Sequence, residues 1–177
     1  LVENAAEAVY EEKKIEEMPV VVLMDRFGYV KTVDEAVYER NKEAADSENR
    51  HVIFCMNTDK ICIFTNTGQM HLVKVLDMPY GKFRDKGVPI DNLSNYSSSE
   101  EDIVFIGGLG NIKEKKLLFV TKNAMIKLVE GGEFDVSKRT TAATKLGEGD
   151  SLLSVSPVEE TDTMVMQSEK NMFLRIA

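Results

Sequence analysis

Four segments of this chain share one layout: an apolar strand, a polar turn, then a second strand. They are VVVLMDRFGYVKTV (Val20–Val33), ICIFTNTGQMHLV (Ile61–Val73), LLFVTKNAMIKLV (Leu117–Val129) and MVMQSEKNMFLRI (Met164–Ile176). The turn position falls on Gly28, Gly68, Ala124 and Asn171, with spacings of 40, 56 and 47 residues. Glycine and asparagine tolerate the positive φ that tight hairpins require; Ala124 is the misfit, with Asn123 just before it as a source of relief. A large apolar residue follows ten positions after each of the first three turns: Tyr38, Met78 and Phe134. Basic residues come next: Arg40 and Lys42; Lys82, Arg84 and Lys86; Lys138 and Arg139. The later two basic loops lead to a further apolar strand, Val88–Leu93 or Thr141–Leu146. A repeat of about 40 to 50 residues built from hairpins corresponds to one four-stranded blade.

The rest of the chain agrees with an all-β reading. Expected strands are Val20–Met24, Tyr29–Val33, Val52–Met56, Ile61–Thr65, Gln69–Leu76, Ile103–Ile106, Leu117–Thr121, Met125–Val129, Leu152–Ser156, Thr163–Gln167 and Met172–Ile176. Val, Ile, Phe and Thr dominate them, and no long helical periodicity follows residue 17. Residues 1–17, with six Glu and two Lys, read as an acidic linker or frayed helix. The β domain is expected over 18–177, as about three blades and a partial fourth in an open or incomplete disc. The start lacks an initiator Met and the order of a signal peptide, so the chain reads as a fragment or processed product. No apolar run reaches the roughly 18 residues of a membrane span. Cys55 and Cys62 sit in apolar strands and read as buried, reduced thiols of a cytoplasmic protein.

The net charge of −8 hides an uneven distribution. Lys60–Ile90 carries five basic and two acidic residues, and Asn111–Leu146 eight and four. Acidic residues collect in 1–17, Glu100–Asp102 and Glu148–Asp162. Two locally basic segments in an acidic chain leave nucleic-acid binding open. Lys82, Arg84 and Lys86 fill a short loop able to track a run of phosphates, and Gly87 allows close backbone approach. Lys138 and Arg139 hold the equivalent place in the next repeat. Lys31 and Lys127 sit three residues after their turns; His71 shares that station and reads as a strand-face histidine. Gly107-Gly108-Leu109-Gly110 follows a strand, but no helix is expected after it, which argues against a phosphate loop. Ser97–Asp102 reads as a mobile surface loop. Asp25, Asp59 and Asp91 fall at turns without clustering as metal ligands. No nucleophile, base and orienting group assemble in the sequence.

The order apolar strand, T-x-x-G turn, strand, aromatic, basic loop and G-x-P-I-x-N-L resembles the C-terminal β-pinwheel of type IIA topoisomerase A subunits, those of gyrase and topoisomerase IV. It is carried by Phe64–Leu93, Phe119–Val155 and Val20–Arg40, and covers roughly residues 19–177. The resemblance implies a non-catalytic disc of blades whose basic rim bends duplex DNA. DNA contacts would come from Lys82, Arg84, Lys86, Gly87, Lys138, Arg139, Arg40, Lys42, Lys31 and Lys127. It implies a bacterial, cytoplasmic parent: an ATP-dependent isomerase assembled with an ATPase subunit as an A2B2 heterotetramer. ATP and Mg2+ would be handled by other domains, with no cofactor or metal in this one. None of Tyr10, Tyr29, Tyr38, Tyr80 and Tyr96 has the context of the cleavage tyrosine. Gyrase A subunits usually carry a Q-R-R-G-G-R-G-like heptapeptide in the first blade. Tyr38–Ala44 reads Y-E-R-N-K-E-A instead, which suits a topoisomerase IV-like or divergent gyrase subunit; with blades permuted, the heptapeptide could also lie outside this sequence. The alternative is a propeller-like protein-interaction module without DNA affinity.

Overall fold

The turn stations set the architecture. In the computed structural model, which describes residues 15–159, 161–167 and 169–176, all four take positive φ: 81° at Gly28, 79° at Gly68, 59° at Ala124 and 56° at Asn171. The first three donate their amide to the residue three back: Asp25, Thr65 and Thr121. A four-residue turn ending in a left-handed residue matches the right-handed twist of the flanking strands. The hairpins are β1 (Pro19–Asp25) with β2 (Tyr29–Asp34), β4 (Lys60–Thr65) with β5 (Gln69–Lys74), β8 (Lys116–Thr121) with β9 (Ile126–Glu130), and β12 (Met164–Gln167) with β13 (Phe173–Ile176).

A third strand returns to each of the first three hairpins and pairs antiparallel with its first strand. These are β3 (Asn49–Met56) on β1, β7 (Ile103–Gly108) on β4 and β11 (Leu152–Val158) on β8. The fourth strand comes from the next repeat. β6 (Val88–Pro89), reached after β5, pairs antiparallel with β2; β10 (Thr140–Ala142), reached after β9, pairs with β5. The sheets therefore run β3-β1-β2-β6, β10-β5-β4-β7 and β11-β8-β9, with β12-β13 as a two-stranded remainder. One blade per contiguous repeat is thus amended: a blade borrows its last strand from the repeat that follows. The exchanged strands are also shorter than the segments Val88–Leu93 and Thr141–Leu146 suggested, because a 3-10 turn at Ile90–Asn92 ends the first.

Apolar alternation stacks the sheets. Val20, Val22, Met24 and Val30 of the first blade meet Ile61, Ile63, Val73 and Ile106 of the second. Cys62, Phe64, Met70 and Leu72, on the opposite face of the second, meet Leu117, Phe119, Val129 and Leu152 of the third. Both faces of β1 and β4 are covered, hence their unbroken apolar runs. The anchors Tyr38, Met78 and Phe134 are all buried, Met78 and Phe134 between blades. β7 touches both β3 and β11, so the third strands converge on a common centre. The exchanged strands β6 and β10, at the other end of their sheets, lie toward the outside.

Three short helices among the described residues interrupt the strands: α1 (Glu35–Arg40), α2 (Lys42–Glu48) and the single turn α3 (Leu109–Ile112). Each is too short for a 3.6-residue pattern to stand out in the sequence. Tyr38 and Ala45 cover Val21, Leu23 and Val33, closing the outer face of the first blade. α3 begins within the glycine run Gly107–Gly110, where the sequence predicts no helix. There Asp59 accepts the Gly110 amide at 3.1 Å, so a carboxylate of the chain itself occupies that position. Residues 1–14 of the acidic segment lie outside the described residues.

Candidate nucleic-acid interface

Each exchanged strand carries basic residues to the outer edge of the preceding blade. The chain leaves β5, buries Met78, and pairs Pro79 O with Thr32 N at 2.9 Å. It then swings out through residues 80–87 before pairing as β6. In the next repeat the chain buries Phe134, and Arg139 O accepts Leu72 N at 2.8 Å. Thr32 and Leu72 are equivalent positions, four residues past their turns. Past the strands the correspondence continues: Ile90 N donates to Gly28 O and Ala143 N to Gly68 O, each at 2.9 Å. Val88 faces Val30 and Thr141 faces Met70, so the exchanged strands share one register, with Gly87 at the place of Thr140. Before the strands the two paths differ: Pro79 pairs where Arg139 does, and residues 80–87 form an added excursion. A cation nonetheless stands within two residues of each exchanged strand, Lys86 before β6 and Arg139 before β10.

Lys82, Arg84 and Lys86 are exposed, as are Lys138 and Arg139. The Lys86 ammonium stands 4.6 Å from the centre of the Tyr29 ring, which tethers its stem without neutralising it. Asp85 closes the loop by accepting the Lys82 amide at 2.8 Å. Phe83 packs against the cluster of Tyr38 and Ala45. Around Lys138 and Arg139 the structure adds two cations that the sequence does not single out. Lys60 and Lys74 line the same cleft of about 210 Å³, with Asp77 on its wall. Lys60 also lies 3.8 Å from Asp135. Their signal was present: β4 begins and β5 ends on lysine, and Lys60 pairs with Lys74 across the hairpin.

Other sequence candidates are placed differently. Lys31 is half-buried, and its ammonium donates to the carbonyls of Phe83 and, at 2.8 Å, Asp85. It holds the basic loop from beneath. Gly87 has φ 78°, and a Cβ there would strike the Val30 carbonyl; the close approach it permits is to β2. Arg40 and Lys42 belong to helices, not to a loop. Arg40 Nε donates to Ala36 O at 3.1 Å, and Lys42 donates to Tyr38 OH at 2.9 Å and sits 3.5 Å from Asp46. The hydrogen bond to Tyr38 raises the Lys42 pKa above its ordinary value. The first repeat puts α1 and α2 where the later two send an exchanged strand. Lys127 is exposed on β9, and among the described residues no strand covers that edge.

His71 is buried, with Nε2 2.7 Å from Glu101 Oε2 and Nδ1 3.0 Å from Thr140 Oγ1. The serine-rich segment before Glu101 is therefore tied down at its end, where a mobile loop was expected. Asp91 also accepts the Ser98 amide at 2.7 Å. Both cysteines are free; burial pushes the Cys55 and Cys62 thiols up to about 12. Burial, then the neighbouring Arg50, lowers the His51 pKa.

Comparison with solved structures fixes the architecture. The C-terminal domain of DNA topoisomerase IV superposes with TM-score 0.72 and 20% identity, covering 85% of this chain and 49% of that one. The E. coli ParC C-terminal domain gives 0.70 and 13%, covering 89% and 64%. The fold is the β-pinwheel of type IIA topoisomerase C-terminal domains. The DNA gyrase A C-terminal domain also superposes, at 0.51 and 17% identity, over 89% of this chain and 54% of that one.

In sequence, this β-pinwheel matches the A subunits of bacterial DNA gyrases. It is 28% identical over 170 residues to the gyrase A protein of Lawsonia intracellularis (strain PHE/MN1-00), covering 89% of this chain and 21% of the relative. Against that of Helicobacter pylori (strain ATCC 700392 / 26695) it is 30% identical over 166 residues, covering 85% and 20%. The chain thus spans about a fifth of the length of these curated relatives. No family model matches it.

Proposed function

We propose that this β-pinwheel binds and bends duplex DNA along its outer edge, without a catalytic centre of its own, as part of a type IIA topoisomerase A subunit. The observation that carries the reading is a basic segment leading into each exchanged strand, where Lys86 and Arg139 stand exposed with Lys82, Arg84, Lys138, Lys60 and Lys74 nearby. Phosphate binding needs positive charge at regular intervals, not base-reading chemistry, and gains affinity through counterion release. Bending costs a few kcal/mol that contacts spread over several blades offset. Clustering lets a chain of net charge −8 do this, because screening confines each charge's influence to about 10 Å at 0.1 M salt, so local charge counts for more than the total. The gyrase A sequence relatives favour this over a protein-interaction module.

In the parent we infer, other domains cut, pass and reseal DNA, and ATP and Mg2+ act there. Assembly as A2B2 with an ATPase subunit, in the bacterial cytoplasm, extends the same proposal. Among the described residues no helix is long and apolar enough to cross a membrane.

The test is a salt titration of duplex binding by the chain and by its Lys82→Ala/Arg84→Ala/Lys86→Ala variant. Loss of three phosphate contacts should lower the slope of log affinity against log salt by roughly 2 to 3, equally for unrelated duplex sequences. An unchanged slope would remove this loop from the interface.

A further inference from the structure

We propose that His71 is a positioning residue for DNA binding, fixing through Thr140 the backbone that carries Lys138 and Arg139. This rests on the DNA-binding reading above. His71 lies on β5 opposite Thr140 of the exchanged strand β10. Thr140 follows Arg139 directly. Glu101, as a carboxylate, only accepts, so Nε2 carries a proton toward it at 2.7 Å. On the other side of the ring Nδ1 lies 3.0 Å from Thr140 Oγ1, which also accepts Asn95 Nδ2 at 2.9 Å. Glu101 is held in turn: Oε1 accepts Thr67 Oγ1 at 2.8 Å, and its backbone carbonyl accepts Tyr96 OH at 3.1 Å. The Tyr96 ring meets the imidazole edge-on, with centroids 6.2 Å apart.

The repeat argues that this network does more than fill space. The same station in the first hairpin is Lys31, and it too fastens a basic segment donated by the next repeat. Its ammonium holds the carbonyls of Phe83 and Asp85, between Lys82, Arg84 and Lys86. Two unlike side chains at one station, a lysine gripping carbonyls and a histidine gripping a hydroxyl, do one job for two loops. Stability alone would be served as well by an apolar residue, since a buried polar pair gives up hydration that packing would not. What the polar pair adds is a fixed direction for the strand end, and with it the placement of the exposed cations.

The experiment measures affinity of the full chain for a short duplex of arbitrary sequence between about 50 and 200 mM salt, in a double-mutant design. Thr140→Val removes the hydroxyl at nearly constant shape, and Thr140→Ser restores it. Thr140→Val should weaken binding roughly three- to ten-fold and lower the salt slope by about one, the loss of one phosphate contact. Thr140→Ser should bind as the unaltered chain does. In the Lys138→Ala/Arg139→Ala background, Thr140→Val should have no further effect. Asn95→Ala alters an exposed side chain and leaves the fold intact. It should show the same dependence on residues 138 and 139 at about two-fold amplitude. Effects that add to those of Lys138→Ala/Arg139→Ala, or an unchanged slope, would overturn the role of His71 while leaving DNA binding intact. No duplex affinity of the unaltered chain at about 50 mM salt would overturn both.

Discussion

Ala124 adopts φ 59° where its counterparts Gly28 and Gly68 adopt 81° and 79°. A Cβ in the left-handed region costs roughly 1–2 kcal/mol, part of which glycine's greater unfolded-state freedom offsets. Ala124→Gly should therefore raise the unfolding free energy by about 1 kcal/mol, read from the urea midpoint at unchanged m value. This station was legible in the sequence because few residues tolerate the turn, and three of its four occupants are glycine or asparagine. Asn123 does not take over the strain from its neighbour, since alanine itself adopts the left-handed conformation. Charge was legible only in part. Lys82, Arg84, Lys86, Lys138 and Arg139 are exposed as expected, but the same residue types at Lys31 and Lys42 are spent on contacts within the chain. Composition cannot distinguish a lysine facing solvent from one whose partner lies 52 residues away, as Phe83 does from Lys31. The partner of His71, 30 residues on in a serine-rich segment, was hidden for the same reason.

The hairpins were readable because short runs of apolar and β-branched residues stand out when turn chemistry brackets them. The exchange of β6 and β10 between blades was not. Two or three residues carry no period, and nothing local says which sheet they join. The one trace lies in Gly87, where φ is 78° and a side chain would meet β2. Gly87→Ala should lower stability by about 2 kcal/mol or more, combining left-handed strain with collision against the Val30 carbonyl. Gly149→Ala is the control: φ there is 72°, but nothing lies within 4 Å of the added Cβ, so only the strain of roughly 1–2 kcal/mol applies. Equal losses in the two variants, by urea unfolding, would deny that the crossing at Gly87 is close. α1 and α2 are silent in the sequence because a six- or seven-residue helix draws its stability from the sheet it covers. Here that sheet contributes Val21, Leu23 and Val33.

Taken whole, the chain is a stack of sheets converging on their third strands, with exchanged strands delivering cations to the outer side. Two successive blades do this by the same register, which is why an acidic molecule can hold a basic edge. In the proposed interface, a duplex that follows the outer edge from one blade to the next is curved along it. End-to-end energy transfer across a duplex of about 40 base pairs reads the curvature directly, at a salt concentration low enough to keep the phosphate contacts. Addition of the chain should shorten the end-to-end distance at about 50 mM salt, with recovery as salt is raised and a smaller effect for the Lys82→Ala/Arg84→Ala/Lys86→Ala variant. A duplex that is bound yet stays straight, or is not bound at all, would contradict the curved basic edge.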